Sequence, residues 1–325
     1  MRVGVTYDLR SDYLAQGLSE EETAEFDSEI TIASICGALS DLGHDAVRIG
    51  TVRNLARRLV GGECFDCVFN ICEGLKGVAR EAQVPALLEA YDIPYVFSDP
   101  LTMALCLDKA MAKRVVRDAG VPTADFAVLE DAGIARDLAP SFPVFAKPVA
   151  EGSGKGIGPA SRIEDHAALM RVVADLLARF RQPVLVETFL PGREFTVGIT
   201  GTGAEAEALG VIEVSLNASD DSHGYGYENK EHFEERVAYM LVDDAEAQAA
   251  AKVALAAWRA LRCRDGGRID IRSDSQGRPH FIEANPLAGL NPERSDLVFI
   301  ARFRGMSYRE LIGRIMASFE RRTGT

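Results

Sequence analysis

Along the first hundred positions, short apolar runs alternate with longer stretches in which apolar residues recur every three or four. Residues 3–6, 46–49, 67–71 and 94–97 are the short runs. Residues 27–42, 51–60 and 80–90 carry the helical period, the first two stretches closed by Gly43 and by Gly61-Gly62. Brief apolar strands separated by amphipathic helices predict a parallel sheet covered on both faces. Ligands of such sheets sit beyond the carboxyl ends of the strands, which assigns Tyr7, Asp8, Asn70 and Glu73 to one functional edge.

The pattern then changes. A helix over 108–119 ends at Gly120 and Pro122. Strands follow at 126–129, 144–147 and 184–187, with a glycine-rich loop at 152–158 and a helix over about 164–180 between the last two. The remainder reads as strands near 194–200 and 208–214, a polar loop at 217–236, a helix over 244–261, a hairpin at 267–284 and a final helix over 307–321. The expected class is α/β followed by α+β. The expected units are 1–103, 104–188 and 189–325, since 325 residues exceed one compact core.

Composition narrows the function classes. The net charge of −13 argues against a nucleic-acid or membrane-surface partner, because either favours a basic patch. It leaves room for ATP, which local lysines with a metal ion can hold. No apolar run approaches the ~18 residues of a membrane-spanning helix, and the N-terminus lacks the apolar stretch of a signal peptide. Cys64 and Cys67 have C-x-x-C spacing, but no second pair or nearby histidine completes a zinc set. The six cysteines read as free thiols and the location as cytoplasmic.

Three segments carry chemistry. In the hairpin, Arg268, Asp270 and Arg272 share one face of the first strand, and Glu283 and Asn285 one face of the second. Residues 273–277 supply the turn. Paired antiparallel, two carboxylates and an amide oxygen converge, and they repel one another unless a cation such as magnesium sits between them. A solvated hairpin face is the competing reading. The loop from Lys147 to Gly158 fails the Walker spacing, since Gly156 follows Lys155, and fails the Rossmann fingerprint too. Its small residues and exposed N–H groups suit closure over phosphates, against a plain surface hairpin. Lys147 ends an apolar strand and so needs an anionic partner. In the third segment, Glu187 and Glu194 bracket a turn at Pro191-Gly192. A buried edge with free backbone groups beside an acid suits an adenine and a ribose hydroxyl, and a structural role is equally open.

In their order and spacing these segments resemble the ATP-grasp fold, specifically the D-alanine–D-alanine ligases, from about residue 99 to residue 315. The pieces are Cys106-Leu107-Asp108-Lys109, the Lys147 to Gly158 stretch, Glu187 to Val197, Tyr227-Glu228-Asn229-Lys230, Gly267-Arg268-Ile269-Asp270 and Glu283-Ala284-Asn285. The resemblance implies an ATP-grasp fold with an N-terminal parallel α/β domain. It implies that Lys109 and Lys147 hold ATP phosphates, that Glu187 and the Leu190 backbone face the adenine, and that Glu194 meets the ribose. Asp270, Glu283 and Asn285 would bind two Mg2+ ions, or Mn2+, and Arg268 would steady the transferring phosphate. Lys230 would be a lid lysine, with 151–158 and 217–236 as lid segments. Ser153 would belong to the first amino-acid site. Ser295, with Arg294 and Gly289, would hold the carboxylate of the amine donor. The implied reaction phosphorylates a carboxylate and passes the acylphosphate to an amine, in a homodimer acting on small molecules.

The amino-acid half departs from that family. Its N-terminal glycine-rich segment is replaced by the acid-rich stretch 17–28, its His-Gly segment by Asn70-Ile71-Cys72-Glu73-Gly74, and its lid tyrosine by Glu231. The substrates expected are therefore amino acids or small peptides other than D-alanine. A true D-alanine–D-alanine ligase of peptidoglycan precursor synthesis is the alternative, and a non-catalytic ATP-binding regulator is a rival of another class. The intact set Asp270, Glu283, Asn285 and Arg268 argues against the regulator. A dehydrogenase needs a glycine fingerprint after the first strand, where Asp8-Leu9-Arg10 stands.

Overall fold

The computed structural model of the chain describes residues 1–216 and 237–324. Strands β1 (Arg2–Tyr7), β2 (Asp45–Gly50), β3 (Cys67–Ile71) and β4 (Tyr95–Val96) form an all-parallel sheet in the order β2-β1-β3-β4. Every residue of β3 is buried, as a strand covered on both faces must be. Val3, Val5 and Phe69 pack with Ile32, Ile35 and Leu39 of the helix Glu29–Asp41. Val68 packs on the other face with Leu55 and Leu88. The C-terminal helix Tyr308–Thr323 returns to the first of these cores through Leu311, Ile315 and Phe319.

A second, antiparallel sheet contains β5 (Phe126–Leu129), β6 (Val144–Pro148), β7 (Arg162–Ile163) and β8 (Val184–Thr188), in the order β5-β8-β6-β7. The helix His166–Phe180 backs it with Leu169, Val173 and Leu176, whose spacing puts them on one stripe. A third sheet runs β11-β10-β9-β12-β13, from β9 (Glu194–Thr200), β10 (Glu207–Leu216), β11 (Val237–Leu241), β12 (Gly266–Ser273) and β13 (Pro279–Asn285). The helix Ala245–Ala260 lies on it. Asp244 caps that helix by accepting from the N–H groups of Glu246 and Ala247. Ala247, Ala250, Ala254 and Ala257 let its backbone approach the sheet beside the buried Trp258.

Several local features differ from expectation. The region around 108 holds two helices, Pro100–Leu107 and Lys109–Asp118. Asp108 turns extended between them and its carboxylate caps the second at the Met111 N–H, 2.9 Å away. A helix Asp296–Phe303 was not foreseen. Its central residues 297–301 are all buried, so no polar–apolar period marks it. In the hairpin, Asp270 pairs with Glu283 and Ile271 with Phe281, leaving Ile282 as a β-bulge. Ile282 is half-buried and lines a cavity with Glu283. Among the described residues no helix is long and apolar enough to cross a membrane, and all six cysteines are free.

Candidate active site

Two cavities meet between the sheets. The smaller, of about 80 Å3, lies between β6 and β8 on one side and β12 and β13 on the other. Lys147, Glu187, Leu190, Glu194, Arg272 and Ile282 line it. The anionic partner that Lys147 needs is Glu187, 2.9 Å from its Nζ. A second buried lysine, Lys113, approaches the other carboxylate oxygen at 2.7 Å. Burial alone would raise the Glu187 carboxyl, but the two ammonium groups outweigh it and hold the pKa at about 2. Lys147 is raised: burial pulls it down, and Glu187 and Glu283 more than restore it. Lys113 is lowered, because burial costs it more than Glu187 returns. Lys113 also donates to Thr123 Oγ1 at 2.6 Å, which ties it to the scaffold, whereas Lys147 faces the cavity. Glu194 holds Arg272 at 3.1 Å.

The larger cavity, of about 280 Å3, opens toward the parallel domain. Ser153, Arg268, Asn285, Gly289, Arg294 and Ser295 line it, so the structure brings these expected residues together. Ser295 precedes the helix Asp296–Phe303 and its Oγ accepts from the Asn291 N–H at 2.9 Å. A Cβ at Gly289 would come within 2.8 Å of that Oγ and would push the Ser295 side chain aside. Arg268 is anchored by Asp296 at 2.6 Å and Asp270 at 3.3 Å.

Lys109, Glu151 and Glu283 line both cavities and mark their junction. Lys109 stands 3.5 Å from Glu283 and donates to the Glu151 carbonyl. Asp270 accepts from Thr196 Oγ1 at 3.0 Å and Asn285 Nδ2 at 3.2 Å. Among the described residues no three His, Cys, Asp or Glu side chains form a metal cage on their own. Two carboxylates and one amide, with phosphate oxygens completing the shell, are nevertheless a donor set that fits a hard divalent cation.

Sequence reasoning noted Glu25 and Asp27 only as acids of the stretch 17–28 near this edge, and it missed Glu81 and Arg80. Asp27, Glu25 and Glu81 line the larger cavity. Arg80 and Lys155 both reach Glu25, each at 3.1 Å, and Lys155 also reaches Glu151 at 2.6 Å. Glu25 thereby joins the parallel domain to the glycine-rich loop. Burial would raise Glu25, but Arg80 and Lys155 prevail and keep it ionised. Of the edge residues expected to be functional, only Glu73 lines a cavity. Asn70 is fully buried against Thr6, and Asp8 accepts from Tyr13 and Gly74. Lys230, Glu231 and the segment 217–236 lie outside the described residues.

This architecture is that of an ATP-grasp ligase, an enzyme that uses ATP to join a carboxylate to an amine. Residues 115–317 match the family described as D-ala D-ala ligase C-terminus. The chain is 36% identical over 323 residues to a D-alanine–D-alanine ligase of Bordetella pertussis, covering 97% of this chain and 94% of that one. Its fold is similar to the crystal structure of the D-alanine–D-alanine ligase from Bacillus anthracis complexed with ATP, with a TM-score of 0.74 at 21% identity, covering 100% of this chain and 99% of that one. It is also similar to VanG D-Ala:D-Ser ligase from Enterococcus faecalis, with a TM-score of 0.73 at 19% identity, covering 98% and 99%. The chain belongs to the D-alanine–D-alanine ligase family.

Proposed function

We propose that the chain is a D-alanine–D-alanine ligase, which activates the carboxylate of one amino acid as an acylphosphate and gives it to the amine of a second. The observation that carries this reading is the junction of the two cavities at Lys109 and Glu283: a nucleotide in one can present its terminal phosphate to a carboxylate in the other. The departures in the amino-acid half favoured substrates other than D-alanine, whereas the names of relatives 36% identical favour D-alanine.

In this reading Glu187, Leu190 and Glu194 hold the adenosine, and Lys109 and Lys147 the phosphates. Asp270, Glu283 and Asn285 hold two Mg2+ ions, which supply charge neutralisation for the transferring phosphate when bound. Arg268, fixed by Asp296, would supply its guanidinium to the phosphate and to the oxygen that gains charge when the amine attacks. Ser153 orients the first amino acid. Ser295, Arg294, the backbone at Gly289 and Lys230 hold the carboxylate of the second. Closure of the site matters because water competes with the amine for the acylphosphate. A homodimer in the cytoplasm, where ATP is available and thiols stay reduced, belongs to the same proposal.

The test is ADP release with ATP, Mg2+ and D-alanine, with the dipeptide identified by mass spectrometry. ADP and D-alanyl–D-alanine in equal amounts are expected. No ADP with any amino acid would overturn the reading.

A further inference from the structure

The wall of the larger cavity made by the parallel domain carries three carboxylates, Asp27, Glu73 and Glu81. None has a base in ion-pair distance among the described residues, although bases are nearby. The Arg80 guanidinium is turned to Glu25 and to the Ala150 carbonyl. Lys155 is held by Glu25 and Glu151, and Lys109 by Glu283 and the Glu151 carbonyl.

Glu81 decides the matter. It is only 9% exposed, it borders the cavity, and it makes no hydrogen bond or ion pair with any described residue. A carboxylate largely withdrawn from water, touching only the cavity, is costly unless something satisfies it. Glu73 is likewise without a partner, and Asp27 has only the Thr31 hydroxyl. Glu81 and Asp27 also oppose the ionisation of Glu73. Burial and then Glu81 and Glu25 raise Glu73 well above the usual range, and burial foremost brings Glu81 and Asp27 to about 7. A single ammonium group needs one carboxylate. Three around one cavity leave capacity for a second cation.

We infer that this acidic wall seats a cationic side chain, so that the chain joins a basic amino acid, one ending in an amino or guanidino group, to D-alanine. The inference rests on the ligase reading above and names a substrate class for the same site. Glu73 and Glu81 are its specificity-determining residues. Their carboxylates would recover by pairing with the substrate the charge compensation that the protein withholds.

The experiment offers wild-type protein ATP, Mg2+ and D-alanine with, in separate reactions, D-ornithine, D-lysine, D-arginine, D-glutamine or D-glutamate, and reads products by mass spectrometry. The mixed dipeptide is expected with the basic amino acids and not with D-glutamate. In Glu81→Gln and Glu73→Gln, the ratio of mixed dipeptide to D-alanyl–D-alanine should fall about tenfold, the loss of one charge-assisted contact. D-alanyl–D-alanine alone from every mixture would overturn the inference and leave the ligase reading standing. Joining of D-glutamate instead, or an unchanged ratio in both variants, would also overturn it. Absence of ADP in all reactions would remove the ligase reading itself. The wild-type product pattern keeps the test decisive even if a variant does not fold.

Discussion

Asp270 on β12 lies directly across the hairpin from Glu283 on β13, and Arg268 across from Asn285, so four polar side chains come from two adjacent registers of one strand pair. Side chains at such positions are about 5 Å apart at the Cβ atoms, too close for two carboxylates unless cations intervene. Arg268 meets Asp270 at 3.3 Å, and Lys109 meets Glu283 at 3.5 Å.

Asp270→Asn and Glu283→Gln should each reduce ligation on the order of a hundredfold or more, since each removes charge from the proposed metal site while preserving shape. Folding should persist, as neither side chain belongs to an apolar core. Coupled ADP assays and circular dichroism check this; near-normal turnover in both variants sinks the metal assignment.

Removal of divalent cations makes a separate prediction. With EDTA, ADP formation should stop, and added Mg2+ or Mn2+ should restore it. The donors are all oxygen, so the folded state needs no metal to form. Melting curves with and without chelator should coincide, and a large fall in melting temperature with EDTA would show a structural ion instead.

Glu187 predicts a pH dependence of stability. Its pKa falls from 4.5 to about 2 in the folded chain. A carboxyl with a depressed folded pKa contributes stability that is fully present above its unfolded value and is lost as pH falls through the folded one. Unfolding free energy from urea titrations should therefore drop between about pH 4.5 and 2. Glu187→Gln should flatten its share of that slope. It should also cost about 3–5 kcal/mol at neutral pH, because Lys113 and Lys147 are left buried without a counter-charge. Equal stability of variant and wild type at neutral pH would refute the pairing.

The hairpin was legible because strict alternation over 268–272, a turn at 273–277 and a return strand leave one register that buries Ile269 and Ile271. The bulge at Ile282 was not, since it depends on how β13 meets the neighbouring helices and leaves no mark in apolar pattern. The break at Asp108 was hidden because both flanking helices are good helix formers and the aspartate caps through its conformation. Lys147 advertised its need for an anion, being a charge at the end of an apolar strand. Lys113 did not, because a lysine on a helix reads as solvated until the fold buries it at 0% exposure. Glu25 and Asp27 drew notice only together with Glu20, Glu21 and Glu22, and Glu81 not at all; only the folded chain separates the acids that line a cavity from those in solvent. The acid-rich stretch 17–28 drew notice as a departure, but its consequence rests on Glu25 reaching Lys155, 130 positions away.

Asp265 predicts where the chain's ends are locked together. It is fully buried and accepts from the Phe97 N–H at 2.8 Å, from Ser318 Oγ at 3.0 Å and from the Arg322 guanidinium at 2.8 Å. It therefore ties the last helix to the parallel sheet. Asp265→Ala leaves a partly buried arginine and a buried N–H unpaired, at a cost of about 3–5 kcal/mol. Chemical denaturation should show it, with kcat for the residual folded protein close to wild type. A stability change under about 1 kcal/mol would contradict this.

The contact between Glu25 and Gly152 gives the last prediction. Gly152 belongs to the glycine-rich loop, and a Cβ there would overlap the Glu25 carboxylate. Gly152 has no positive φ, so alanine is allowed by its own backbone and only the overlap opposes it. A flexible glutamate would swing aside at little cost, but Arg80 and Lys155 pin this one, each at 3.1 Å. Gly152→Ala should thus displace the loop, which carries Ser153 toward one cavity and Lys155 toward the other. KM for ATP and for the first amino acid should rise on the order of tenfold, with little change in melting temperature. Glu25→Ala should loosen the loop as well, by removing the anion that holds Lys155. In the double variant the overlap is gone, so Gly152→Ala should add almost nothing to Glu25→Ala. A double-mutant cycle on kcat/KM reads this directly. Additive effects would show that the two residues act apart, and that Glu25 does not position the loop.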